Sequence, residues 1–158
     1  MATWDCGHVP TSSDDVTIDT GYPSDTLTVN LDTNATIASL TFASNLDEEI
    51  IFQGTNSLTV TGDVTNNQSS AYSGLLEVQA GTLTINGNYN IGANACPAGA
   101  CGFFMITTTT GSATIGGTLN VTKGSSVGGT NITGSGTLHL KGGVSGTAVQ
   151  LYNIATTD

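Results

Sequence analysis

The sequence has very little positive charge. It contains two lysines, Lys123 and Lys141, no arginine and twelve acidic residues, for a formal net charge of −10. Proteins that bind nucleic acid neutralise phosphates with Lys and Arg side chains, so this composition argues against DNA or RNA as a partner. The sequence also lacks any run of 18 apolar residues, and we therefore expect no insertion into a membrane.

Residue types that form catalytic centres are equally sparse. The two histidines, His8 and His139, lie far apart in the sequence, and the residues around neither suggest a catalytic triad. The acidic residues fall mostly in predicted turns of the first half of the chain, without the clustered carboxylates of a glycosidase. We therefore expect no enzyme activity and no cofactor.

Metal binding has only weak candidates. Two acidic groups offer oxygen ligands for Ca²⁺, but the sequence has neither EF-hand spacing nor a glycine-rich nonapeptide repeat. The expectation is that no metal is bound, and Ca²⁺ at these groups is the alternative. The residues concerned are Asp14, Asp15, Asp47, Glu48 and Glu49.

Cysteine is rare as well. Of the three cysteines, Cys96 and Cys101 enclose a short loop that contains Pro97 and Gly99. Their spacing fits neither a zinc knuckle nor a thioredoxin-type pair, because both of those use two intervening residues. We predict a disulfide between Cys96 and Cys101, with two reduced thiols as the alternative, and hence an extracellular location. The sequence offers no partner for Cys6.

The sequence is rich in one repeated strand motif. Four copies alternate apolar and polar residues, which is the period of a half-buried strand, and each has a glycine after its second apolar residue. They begin at Ser57, Thr82, Ser112 and Thr137, and a looser copy begins at Thr26, at intervals of roughly 25–31 residues. Another short apolar segment lies between successive copies, and no stretch has the apolar stripe of a helix.

This periodicity predicts one all-β domain, a right-handed parallel β-helix (solenoid) of about five to six coils. A β-sandwich is the alternative, although sandwich strands need not resemble one another at a fixed period. The expected divisions are an N-terminal cap at 1–15, coils at 16–147, and a terminal strand or coupling segment at 148–158. The predicted inward residues are Leu58, Val60, Val64, Leu83, Ile85, Tyr89, Ile91, Ile115, Leu119, Val121, Leu138, Leu140 and Val144.

The first 42 residues carry a resemblance to a known family. They contain Trp4, Val9-Pro10, the strand Asp14-Asp-Val-Thr-Ile18 and the segment Leu40-Thr-Phe42. This order resembles the opening of the eight-glycine domain family and of repeat-bearing secreted proteins of Bacteroidetes-type bacteria. The resemblance implies an extracellular β-helical module of an adhesin, gliding or matrix protein, and it implies no catalytic residue.

The same N-terminal residues suit a cap over the first coil of a solenoid. The apolar end of such a coil must be covered, and Trp4, Val9 and Pro10 are the bulky residues that precede the first strand. Asp14 and Asp15 are placed to fix the turn into that strand through hydrogen bonds to the backbone.

The outward positions of the aligned copies predict two columns of hydroxyl groups. Their spacing is similar to that of the threonine ladders of β-helical ice-binding proteins, although threonine also suits a solvated strand. Ice binding through this face is therefore an alternative function. Carbohydrate binding is another, but the few aromatic residues form no row for stacking on sugars. The columns comprise Thr26, Ser57, Thr82, Ser112 and Thr137, and beside them Thr28, Thr59, Thr84, Thr114 and His139.

The final segment alternates apolar and polar residues like one more strand and carries no charge before Asp158. An exposed, uncharged strand of this kind tends to pair with another chain or domain. We expect end-to-end contact through Val149, Leu151, Tyr152 and Ile154. The expected function is a non-enzymatic structural or adhesive module of a secreted cell-surface or fibre protein. Its expected partners are itself or neighbouring domains of a longer surface protein, with glycans as the alternative.

Overall fold

The computed structural model describes residues 7–19, 27–43, 48–66, 74–91, 106–121, 130–132 and 135–146. Within these ranges the chain forms strands and no helix, and therefore no helix that could span a membrane. The strands are β1 (Asp15–Ile18), β2 (Leu27–Leu31), β3 (Ala35–Ile37), β4 (Ser39–Phe42), β5 (Glu48–Phe52), β6 (Ser57–Val60), β7 (Val64–Asn66), β8 (Gly74–Gln79), β9 (Thr82–Ile85), β10 (Tyr89–Ile91), β11 (Ile106–Thr108), β12 (Ser112–Ile115), β13 (Leu119–Val121), β14 (Thr130–Ile132), β15 (Thr137–Leu140) and β16 (Val144–Gly146).

The strands form three parallel sheets that the chain visits in rotation. Sheet A has the order β1-β4-β7-β10-β13-β16, sheet B the order β2-β5-β8-β11-β14, and sheet C the order β3-β6-β9-β12-β15. Each strand thus pairs with the strand three places later in the chain, and every pairing is parallel. This is a β-solenoid. The predicted solenoid is confirmed, and the antiparallel sandwich considered as its alternative is wrong.

Inward side chains stack as apolar ladders between the three sheets. Phe42, Phe52 and Tyr89 are the largest of the buried side chains, and most of the predicted inward residues of β6, β7, β9, β10, β12 and β13 are buried with them. Ladders form because the parallel registers place apolar residues directly above one another, as in the pairs Leu58↔Leu83 and Val60↔Ile85. The alternation along each strand therefore identified the core.

The last coil departs from this prediction. Leu138 and Leu140 are only half-buried, and Val144 is 44% exposed. Val144 lies on β16, which is the outermost described strand of sheet A and has one neighbour, β13. The prediction that Val144 packs inward like its counterparts is wrong, because no described strand stacks on its far side.

The glycine of each motif copy forms the corner between sheet C and sheet A. The amide of Gly87 donates to the carbonyl of Gly62 over 3.0 Å, Gly117 to Gly87 over 2.8 Å, and Gly142 to Gly117 over 3.1 Å. A Cβ on Gly87 would lie 2.5 Å from the carbonyl oxygen of Gly62. Because these coils approach this closely, a side chain at Gly87 would overlap the backbone of the preceding coil. The first coil has Ala38 at the same corner, where its amide donates to the carbonyl of Asp14.

The N-terminal turn is held by Asp14, as expected. The backbone amide and the hydroxyl of Thr11 both donate to Oδ2 of Asp14 over 2.7 Å, and these bonds hold the pKa of Asp14 below its usual value. Asp15 does not contribute to the turn, because its carboxylate accepts a hydrogen bond from the hydroxyl of Ser39 on the next coil. Val9 is 64% exposed, so the expectation that it covers the first coil is wrong. Trp4 lies outside the described residues.

Candidate functional site

The outward face of sheet C brings most of the predicted hydroxyl groups together. One column joins Ser57, Thr82, Ser112 and Thr137 on β6, β9, β12 and β15. A second column joins Thr59, Thr84 and Thr114 on β6, β9 and β12, and His139 on β15. Neighbouring strands of a sheet are about 4.8 Å apart, so the hydroxyl groups repeat at that interval along the solenoid.

One predicted member, Thr28, does not belong to this face. Thr28 lies on β2 in sheet B, where its hydroxyl donates a hydrogen bond to Oε1 of Glu49 on β5. The residue that continues the second column is Thr36 on β3, which pairs with Thr59. The prediction for Thr28 is wrong because the looser copy that begins at Thr26 lies one sheet earlier in the coil. Thr26 itself is outside the described residues.

The face of sheet C offers hydrogen-bonding groups without charge. Thr82, Thr137 and His139 are exposed, and the remaining serines and threonines of β6, β9 and β12 are half-buried. No Asp, Glu, Lys or Arg occurs in the five strands of this sheet. Such a surface can donate and accept hydrogen bonds at regular intervals.

Sheet A carries a polar ladder that the sequence analysis missed. The amide of Asn120 donates to Oδ1 of Asn90 over 2.8 Å, and Asn90 donates to Asp63 over 3.4 Å. Oδ1 of Asp63 accepts the backbone amide of Asn88 over 2.7 Å, and Oδ1 of Asn88 accepts that of Thr118 over 2.9 Å. These side chains link successive coils and so have a structural role. The sequence does contain a pattern that marks this ladder, since a polar residue follows the corner glycine in three motif copies: Asp63, Asn88 and Thr118.

The acidic residues considered for Ca²⁺ are separated by the fold. Asp14 is hydrogen-bonded to Thr11 and lies 3.9 Å from Nδ1 of His8, Asp15 binds Ser39 on sheet A, and Glu49 lies on sheet B. Within the described ranges no group of three or more His, Cys, Asp or Glu side chains converges on a point. Asp47 and the side chain of Glu48 fall outside those ranges, as do Cys96, Cys101 and the terminal residues Val149, Leu151, Tyr152 and Ile154. The disulfide and the terminal contact remain predictions.

A buried tyrosine is the one ionisable side chain in the described core. The hydroxyl of Tyr89 makes no hydrogen bond of good geometry, although the side chain of Asn66 is a polar neighbour that lowers its pKa. Burial has the larger effect and raises the pKa of Tyr89 well above its usual value. Tyr89 therefore stays neutral and contributes to packing, with no route to a ligand on the surface.

Comparison with known proteins adds no assignment. The sequence matches no family model, no curated protein and no solved structure. The resemblance of the first 42 residues to the eight-glycine domain family therefore stays a prediction. Function has to be inferred from the solenoid, its ends and its outward faces.

Proposed function

We propose that this chain is a non-enzymatic structural or adhesive module of a secreted cell-surface or extracellular fibre protein, and that it associates end to end. One observation carries the proposal. β1, β2 and β3 lie at one end of the three sheets and β14, β15 and β16 at the other, and among the described strands each has a neighbour on one side only. Unpaired strand edges are templates for pairing with another chain.

Side-chain burial at the two ends supports this association. At the first end Val29 and Leu31 on β2 are half-buried, whereas their register partners on β5, Ile50 and Phe52, are buried. At the other end Leu140 is half-buried, whereas its partner Ile115 is buried. Contact with a further coil would remove this apolar surface from water, and burial of apolar surface is the main driving force for association.

The proposal also includes the number of coils, their handedness and the N-terminal cap. The sheets have six, five and five strands, which supports five to six coils and a length of about 25 Å at the usual strand spacing. Parallel strands joined by crossover connections are right-handed in nearly all proteins, which supports a right-handed coil. The turn fixed by Asp14 supports an ordered N-terminal cap.

Light scattering on the full chain and on a chain without residues 148–158 tests the proposal. We expect the molar mass of the full chain to rise above that of a monomer as its concentration increases, and that of the shortened chain to rise less, because the removed segment is the one that the sequence predicts to pair with another chain. Circular dichroism should show that the shortened chain keeps its β structure. If both chains stay equally stable monomers at high concentration, the proposal is wrong.

A second candidate is ice binding by the outward face of sheet C. It is favoured by the in-register columns of Ser57, Thr82, Ser112 and Thr137 and of the neighbouring threonines, which present hydroxyl groups at regular intervals. We expect thermal hysteresis if this candidate is right, and we expect Thr84→Tyr to abolish it because the ring interrupts the central strand of the face.

The matched control is Thr65→Tyr, which places the same ring on the outward side of sheet A. Thermal hysteresis that both variants retain excludes the face of sheet C as the ice-binding surface. A native chain without thermal hysteresis excludes ice binding. Retention of the native chain on an insoluble glycan would instead favour the carbohydrate-binding alternative.

A further inference from the structure

Charge is unevenly distributed along the solenoid. Eleven of the twelve acidic residues lie at or before Glu77, whereas both lysines lie after it. Because successive strands stack in sequence order in all three sheets, this separation in sequence becomes a separation along the solenoid axis. The first coils are strongly acidic and the last coils are not.

The two ends differ accordingly. The N-terminal end, formed by β1, β2, β3 and the turns beside them, carries the carboxylates of Asp14, Asp15 and Asp32. At the other end of the described part of the chain, β14, β15, β16 and the turns beside them carry the exposed side chains of Lys141 and His139. No Asp or Glu occurs between residues 78 and 157.

We infer that the partner of the N-terminal end is the C-terminal end of a second copy of this chain, so that copies stack head to tail with one polarity. This inference rests on the proposed end-to-end association and adds its direction. Among the described strands, β16 and β1 are the two edges of the same sheet, so a copy displaced along the axis would continue the parallel pairing of sheet A.

Electrostatics disfavours the two other arrangements. Contact between two N-terminal ends brings the carboxylates of Asp14, Asp15 and Asp32 of both copies together, and juxtaposed like charges oppose association. Contact between two C-terminal ends brings the positive charges of both copies of Lys141 to one interface and leaves the acidic ends unpaired. Only the head-to-tail arrangement sets Lys141 against the acidic end. A contact between two different surfaces does not close on itself, so repeated addition gives a linear assembly.

A charge swap between the two ends tests the direction. Asp15 and Lys141 are suited to it because both side chains are exposed. Continued pairing of sheet A places Val144 of one copy in the column of Val16 of the next, and Lys141 therefore comes close to Asp15. We expect Lys141→Glu to weaken self-association about fivefold, which is the scale of one exposed ion pair, and Asp15→Lys to weaken it by a similar factor. An equimolar mixture of the two variants should recover the native association, because each contact then joins opposite charges. Sedimentation velocity over a concentration series measures all three.

The matched control is Thr84→Glu, which adds negative charge on the central strand of sheet C, away from both ends. It should associate like the native chain, and circular dichroism should show that every variant keeps its β structure. Strengthened association of Asp15→Lys would indicate contact between N-terminal ends and overturn the inference. So would native association of Lys141→Glu, or a mixture no stronger than its components. A native chain that never associates contradicts the proposed function itself, and the inference with it.

Discussion

Replacing Gly111 by alanine is expected to lower the free energy of unfolding by about 3 kcal/mol. Gly111 is buried immediately before β12, and its amide donates to the carbonyl oxygen of Gln79 over 2.8 Å. A Cβ at this position would collide with the carbonyl oxygen of Gly81 and lie 2.8 Å from the carbonyl carbon of Ala80. These are backbone atoms of the preceding coil, so no side-chain rotation relieves the overlap.

Thermal unfolding measures this effect. In a chain of this size 1 kcal/mol corresponds to a shift of about 2–4 °C, so Gly111→Ala should melt about 6–12 °C below the native protein. Thr110→Ala is the matched control, because Thr110 is adjacent and exposed and its removal should cost no more than about 0.5 kcal/mol. Equal melting temperatures for the two variants would show that the coils can separate at this corner without cost.

The corner at Gly111 also shows which part of the fold the sequence leaves undetermined. Gln79 has a positive φ of 50°, and its carbonyl oxygen accepts the amides of Thr109, Thr110 and Gly111 where the register of β8 and β11 shifts. Thr82 pairs with Ser112 30 positions later, whereas the adjacent coils advance by 25. The extra residues enter between β10 and β11, because Val64 pairs with Tyr89 25 positions later whereas Leu76 already pairs with Ile106 30 positions later. The repeat predicted a solenoid, but nothing in the alternation of residues locates the bulge at Gln79.

The sequence likewise predicted only part of the candidate face on sheet C. Thr59, Thr84, Thr114 and His139 fall in one column because their motif copies are nearly identical and advance by similar lengths. Thr28 was misplaced because alternation shows which side of a strand a residue faces, and not which of three sheets the strand joins. The sheet that a strand joins depends on the number of residues in each turn before it, and the turns of the first coil differ in length from those of later coils.

The sequence pattern also did not predict how far side chains are buried at the ends of the solenoid. Val144 follows the same motif as Val64 and Leu119, yet Val144 is largely exposed while the other two are buried. The pattern identifies the inward side of a strand. Burial requires in addition a coil stacked on each side, and that depends on position along the axis. The two ends, on which the proposed association depends, are therefore the places where structure adds most to the sequence.

Replacing Phe52 by alanine is expected to cost about 3–5 kcal/mol, the usual range for removing a fully buried phenylalanine. Phe52 ends β5 and lies directly above Leu31 of the preceding coil. Its ring fills the space that Gly81 leaves open, since a Cβ on Gly81 would be 2.9 Å from Cδ1 of Phe52. Neighbouring backbone is fixed by parallel pairing to β2 and β8, so it cannot collapse into the resulting cavity.

Urea unfolding, fitted for the free energy and its denaturant slope, measures the loss. Phe52→Leu should recover more than half of it, because leucine refills most of the cavity with apolar atoms. Val9→Ala is the control for simple loss of apolar atoms. Val9 is largely exposed, so its truncation should change the free energy by no more than about 0.5 kcal/mol. A loss below 1 kcal/mol for Phe52→Ala would mean that the coils around Phe52 are not tightly packed. A solenoid packed that loosely could not hold rigid edges at its ends, and the end-to-end association proposed above would lose its physical basis.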